Sequence, residues 1–308
     1  GSDGGGGSPA GGMGGGSGGE ATATLKGEID RGNKSYVLEF GDLYFGVTSD
    51  GGRIVDVHVS GGKNILTGPE VNDVNYGSTF WPSPQSWEWP PTSSIPEINN
   101  GPYMAMVASP SFTLTGAANA TVGASVTKKF TANLAKGSVD VEYKMTATAA
   151  GKSFAPWEIS RVPQTGGLSF YPTGSGAPTS GTFEAVPTTT GAGCTWYQGA
   201  AARPSADQKL FADGTGGWLA HVQGDLLLLK KFPDLPSGMA ASGENEIEIY
   251  VSSGANYIEL EQQGPYMAVA MGQSLTWTVT WIVRKLPAGM TATPGNQALV
   301  DYVKSLVQ

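Results

Sequence analysis

Glu259 and Glu261 stand two residues apart in YIELEQQGPYMAV, residues 257–269. Strand side chains alternate between faces, so an extended segment places Tyr257, Glu259 and Glu261 on one side and Ile258 and Leu260 on the other. The apolar side can enter a core while the other presents two carboxylates and a phenol. Like charges at this spacing repel and raise one pKa, which suits a wet cleft where a carboxylate binds a ligand or accepts a proton. A solvated acidic strand face would carry the same residues.

Two further groups could do chemistry. NYGSTFWPSPQSWEWPP, residues 75–91, holds Trp81, Trp87 and Trp89 among four prolines, which argue against regular structure there. An indole face on a rigid loop can pack on the apolar face of a sugar ring while Gln85 and Glu88 meet its hydroxyls. Equally, the three tryptophans could plug the end of a β-sandwich. In WEISR, Trp157, Ile159 and Arg161 share one strand face and Glu158 and Ser160 the other. Arg161 is a candidate for binding hydroxyls or a carboxylate, or for a structural ion pair. His58 shares a face with Asp56, and His221 shares one with Leu219 and Gln223; both read as hydrogen-bonded structural histidines.

The elements that must position these groups are strands. SYVLEFGDLYFGVTSDGGRIVDVHV alternates on both sides of SDGG, a hairpin signal. SFTLTG, ASVTKKFTANL and GSVDVEYKMTATA continue the pattern, with Val139, Val141, Tyr143 and Met145 on one face. WLAHVQ, a Gly-Asp turn and LLLLKKFP form another hairpin, whose leucine run implies a strand covered on both faces. SLTWTVTWIVRKLP alternates over a long span. GPYMA occurs at 101–105 and again at 264–268, which implies two loops entering strands with the same turn chemistry. Residues 172–210, rich in Gly, Pro and Thr, read as a long insertion or lid-like loop. The one convincing helix is TPGNQALVDYVKSLVQ, starting near Pro294 and Asn296 with Leu299, Val300, Val303, Leu306 and Val307 on one face.

Composition agrees with an all-β domain. The chain of 308 residues has 46 glycines and 20 prolines, suited to many turns between short strands. Residues 1–20 are a Gly/Ser-rich stretch that cannot bury a core and read as a flexible linker; 21–308 read as one β domain. A net charge of −8 argues against nucleic acid as a partner. Cys194 is alone, so neither an intrachain disulfide nor a cysteine metal cluster can form, and neither a metal nor a cofactor is expected. No apolar run approaches the ~20 residues needed to span a bilayer. The Gly/Ser stretch is similar to the tether that follows the lipidated cysteine of bacterial lipoproteins, or to an engineered linker. The expectation is an exported protein, periplasmic, secreted or lipid-anchored through a cysteine upstream of the sequence given, and monomeric.

Taken in order, the GGRI turn at 51–54, WPSPQSWEWPP, APWEISRV, LLLLKKFP and the ELEQQGPY…SLTWTVTW ending resemble the galactose-mutarotase-like superfamily of aldose 1-epimerases. A closer resemblance is to a bacterial family of unknown function, DUF4380. The resemblance implies a β-supersandwich with a short C-terminal helix and a sugar cleft on the concave face of its larger sheet. Leu260-Glu261-Gln262-Gln263 looks like the Leu-Glu-x-Gln segment that carries the superfamily's catalytic base, so Glu261 is the expected catalytic carboxylate. The superfamily's histidine-bearing segment, Asn-His-x-Tyr-Phe, is absent. Candidate substrate-binding residues are Arg53, Trp81, Gln85, Trp87, Trp89, Trp157, Glu158, Arg161, Glu259 and Gln263. The functions implied are recognition of a mono- or oligosaccharide with acid/base epimerase chemistry, a non-catalytic glycan-binding module, or, less favoured, a polysaccharide lyase. A scaffold with purely structural Trp and Glu residues is the remaining alternative.

Overall fold

Alternating apolar residues build two large sheets, antiparallel but for the edge strand Glu184–Ala185, that bury one face of each against the other. The computed structural model describes residues 20–308 except Arg31, so the linker expected at 1–20 lies outside the described residues but for Glu20. The first sheet runs in the order Thr22–Asp30, Asn33–Phe40, Leu43–Thr48, Ile54–Val59, Ser78–Ser83, Lys152–Val162, Ile258–Gln263, Ile247–Val251, Gln208–Ala212 and Glu184–Ala185. The second is centred on Leu226–Lys231, Ser274–Lys285 and Ser138–Ala147 and ends at Met104–Ala108.

Between the sheets, Phe45 meets Trp281 edge-on at 5.5 Å and Phe130 at 6.1 Å, beside Val141, Met145, Leu228 and Leu260. A second apolar layer lies on the outer face of the second sheet, under the C-terminal helix Gln297–Leu306. Leu299, Val300 and Val303 bury there against Trp196, Phe170 and Cys194. The Asn296 side chain caps the helix by accepting from Leu299 N at 2.9 Å. Leu227 and Leu229 face this layer while Leu226 and Leu228 face the sandwich core, which accounts for the unbroken leucine run.

The SDGG hairpin joins Leu43–Thr48 to Ile54–Val59, with Gly51 and Gly52 at φ +74° and +53°. A Cβ on Gly51 would also strike the Asn99 carbonyl, so two constraints select glycine there. Both copies of GPYMA lead into strands, Met104–Ala108 and Met267–Val269, although Tyr103 is buried and Tyr266 exposed.

Two expectations are corrected. The proline-rich stretch is not wholly irregular, because Trp81 and Pro82 lie within the strand Ser78–Ser83. Pro82 stands opposite Pro156, and the strand's other edge is paired only at Ser78, so the missing N–H groups forfeit little ladder. Nor is 172–210 a lid-like loop: it contributes Glu184–Ala185, Thr189–Gly191, Cys194–Gln198 and the start of Gln208–Ala212 to the two sheets. Its strands are short and their turns rich in glycine, which hides the alternation.

Candidate functional site

Register across the first sheet gathers the candidate residues. Trp157 lies opposite Trp81 on one side and Gln263 on the other, and Arg161 lies opposite Glu259. Glu248 and Tyr250 stand opposite Glu261 and Glu259, and Lys209 opposite Tyr250. Because opposed residues in an antiparallel pair share a face, all these side chains occupy the face turned away from the second sheet.

They form a charge network. Arg161 Nε lies 2.9 Å from Glu259 Oε1, and its Nη1 donates to Thr79 Oγ1 at 2.7 Å. Lys209 Nζ bridges Glu261 Oε1 at 2.6 Å and Glu248 Oε2 at 2.9 Å. Trp157 Nε1 donates to Glu261 Oε2 at 2.8 Å. Burial pushes Glu261 up to about 7 and Glu248 up to about 8; Lys209 opposes both, Glu248 adds to the rise of Glu261, and Glu244 adds to that of Glu248. Burial likewise raises Glu259 despite Arg161. Burial alone would lower Lys209, but Glu248, Glu261 and Glu259 together hold it well above its ordinary value. Two carboxylates on one ammonium therefore retain a proton near neutral pH, while the lysine stays charged.

Above this network lies a cleft of about 280 Å³. Its rings are Trp81, Trp89, Trp157, Phe183 and Tyr250, and its polar wall is Asn75, Gln85, Asp207, Lys209 and Glu259. Trp81 is the hub of the rings, meeting Trp157 at 5.6 Å and Trp89 at 6.1 Å, both near perpendicular. Trp89 is 51% exposed. A larger hollow of about 580 Å³ beside the C-terminal helix holds a single ring, Phe232, and its Asp140 already accepts from Thr280. Among the described residues no three His, Cys, Asp or Glu groups converge where a metal ion could sit.

Of the sequence candidates, Trp81, Gln85, Trp89, Trp157 and Glu259 line the cleft. Glu261 shares their face but does not open into the cleft; it is fully buried beneath Lys209 and Trp157. Arg161, a candidate for binding hydroxyls or a carboxylate or for a structural ion pair, is sealed under the floor and pairs with Glu259. Gln263 is also buried, accepting from Ser83 Oγ at 2.6 Å and donating to Glu248 at 2.9 Å. Arg53 instead ties down the 74–76 segment through the Val74 and Tyr76 carbonyls. Trp87 is buried and donates to the Pro82 carbonyl, so it plugs rather than presents a face.

Glu158 is on the opposite face, between the sheets. There it accepts from Tyr143, Gln262 and Trp281 and pairs with Lys230 at 2.8 Å. Both histidines are hydrogen-bonded: His58 to Asp56 at 2.7 Å, and buried His221 to Ser169 at 2.9 Å, burial pushing it down to about 4. Asn75, Phe183, Asp207, Lys209 and Tyr250 were not foreseen. Lys209 and Tyr250 alternate legibly in QKLFA and IEIYV, and only the strand register makes them neighbours of Glu261 and Glu259.

No family model matches the chain, and no curated protein matches its sequence. Solved structures do match. A galactose mutarotase-like protein from Lactobacillus casei aligns with TM-score 0.54 at 11% identity, over 81% of this chain and 100% of that one. A galactose mutarotase related enzyme from Lactobacillus acidophilus aligns with TM-score 0.56 at 6% identity, over 84% of this chain and 100% of that one. The chain has the galactose mutarotase-like β-supersandwich fold, with a short C-terminal helix.

Proposed function

We propose that the cleft binds a sugar, taking one ring of a mono- or oligosaccharide against Trp89 and Trp157. The observation that carries this reading is the perpendicular set of indoles facing a wall of amide, carboxylate and ammonium groups in a single cleft. Stacking surface beside fixed hydrogen-bonding groups is what a ring with one apolar face and a rim of hydroxyls requires. Its volume falls just below the roughly 300–1,000 Å³ usual for ligand clefts, which favours one ring over a chain. The fold shared with proteins described as galactose mutarotase-like supports the same class of ligand. Ligand-observed NMR with a panel of neutral aldoses tests it: saturation transfer to the sugar protons is expected, weakened in Trp89→Ala, and its absence across the panel defeats the reading.

Acid/base interconversion of anomers is the second reading, favoured by the raised pKa values of Glu259 and Glu261. Ring opening needs a base to take the anomeric hydroxyl proton and an acid to protonate the ring oxygen as the bond from C1 to that oxygen breaks. Glu259 reaches the cleft wall directly, whereas Glu261 serves only if Lys209 and Trp157 part. Magnetisation exchange between α and β anomers, with Glu259→Gln and Glu261→Gln as controls, separates catalysis from binding alone. A lyase is less favoured because Arg161 is buried and committed to Glu259. Export, lipid anchorage and the closer tie to the DUF4380 type belong to this proposal, on the strength of the Gly/Ser stretch and the order of motifs. Fractionation of the source cells tests the first two.

A further inference from the structure

The charges around the cleft do not cancel, and the surplus has an address. Arg161 is matched by Glu259, and Lys209 by Glu248 and Glu261 together. Asp207 is left over. It lines the cleft and, among the described residues, has no ammonium or guanidinium within ion-pair distance. Its Oδ1 accepts from Ser253 N at 2.8 Å and Ser253 Oγ at 2.7 Å, and the Tyr250 hydroxyl bonds to it as well. These donors outweigh the upward push of burial and hold its pKa below the ordinary value, so the group is ionised at neutral pH.

Around this carboxylate the cleft is aromatic. Tyr250 meets Phe183 edge-on at 6.2 Å, Trp89 stands exposed, and buried Trp157 completes the aromatic lining. Ring faces carry negative potential and attract cations, the more so where water is excluded. Lys209 does not reverse this field at neutral pH, where Glu248 and Glu261 together keep one negative charge within 2.9 Å of its ammonium.

We propose that the cleft selects sugars bearing a free ammonium group, with Asp207 as counter-charge and the flanking rings as its cation-binding faces. The inference rests on the reading of the cleft as a sugar site. It excludes uronic acids and sugar phosphates as preferred ligands, since neither can offset Asp207.

Titration calorimetry of the full chain tests it, using glucosamine and galactosamine, their N-acetyl forms, glucose, galactose and galacturonic acid at about pH 7. That is below the roughly 7.7–8.0 of an α-amino group, so the free amines are charged. The amino sugars are expected to bind about tenfold tighter than the neutral and N-acetylated forms, galacturonic acid weakest, and the preference to shrink with added salt. In Asp207→Asn the ratio of amino to neutral affinity is expected to fall toward one. The wild-type series and its salt dependence decide the matter even if that variant folds poorly. Equal affinity for amino and neutral sugars overturns this inference and leaves the sugar cleft standing. No binding by any of them overturns both.

Discussion

At the scale of single residues, the site face is a set of carboxylates kept at unusual pKa values by burial. Glu248, at about 8, lies above its ordinary 4.5, so the stability it contributes is complete below about 4.5 and is lost as pH rises through 8. Glu246, at about 8, and Glu261, at about 7, act with the same sign. His221, at about 4, opposes them at lower pH: its contribution is present above 6.5 and lost as pH falls through 4. Lys128 is buried against the Gly51 and Gly52 carbonyls and lowered to about 7, so its contribution is present above 10.5 and lost as pH falls through 7. We expect the melting temperature to fall between about pH 4.5 and 7, and the fall to be shallower in Glu248→Gln; parallel curves for variant and wild type would exclude Glu248 as a source. For binding, Trp89→Ala is expected to cost about 1–3 kcal/mol of sugar affinity, the range for losing one large aromatic contact. An affinity unchanged by that truncation would place the sugar elsewhere. Glu261→Gln should abolish any anomer exchange while leaving the fold intact if the carboxylate is the base, and should lower affinity only modestly if the site merely binds.

At the scale of elements, the strand Lys152–Val162 is the pivot, since it sends Trp157 and Arg161 to the site and Glu158 and Ser160 into the sandwich. Glu158 is fully buried yet has four donors, and Lys230 beside it also bonds Ser160 and lies 4.6 Å from the Trp281 ring centroid. Removing one partner of a buried pair leaves an uncompensated charge, whereas removing both need not. Lys230→Met is therefore expected to lose about 3–5 kcal/mol in urea denaturation, and Lys230→Met with Glu158→Leu to recover much of it. Equal losses in the single and double variants would show that the pair is not coupled. The sequence allowed the two faces of this strand to be told apart, because alternation is local. It did not reveal which face met the other sheet, because that depends on partners more than a hundred residues away, such as Trp281 and Gln262. Glu158, a cleft candidate on sequence, lies between the sheets for this reason. Glu261 was placed on the right face but at the wrong depth, since depth is set by Lys209 and Trp157 closing over it. The Leu-Glu-x-Gln likeness speaks to position along a strand and carries no information on what lies above it.

At the scale of the whole molecule, the sheets share an apolar core and a charged network between them, so the inner face of each depends on the other. Far-ultraviolet and near-ultraviolet circular dichroism are expected to report the same urea midpoint, and separated midpoints would mean that the sheets come apart in stages. The C-terminal helix is different, being held to the second sheet by one stripe of side chains. Under that stripe lies Cys194, 1% exposed, its thiol pushed up to about 11 by burial although Lys304 pulls it down. Thiolates, not thiols, attack disulfide reagents, so the native side chain is doubly silent. Leu299→Ala, which removes part of the stripe at a cost of about 2–5 kcal/mol, is expected to speed labelling at least about tenfold; labelling of the wild type as fast as a free thiol would contradict the burial. A residue with no chemistry of its own thus becomes a clock built into the chain, and the fraction labelled at each time counts the molecules whose helix has lifted.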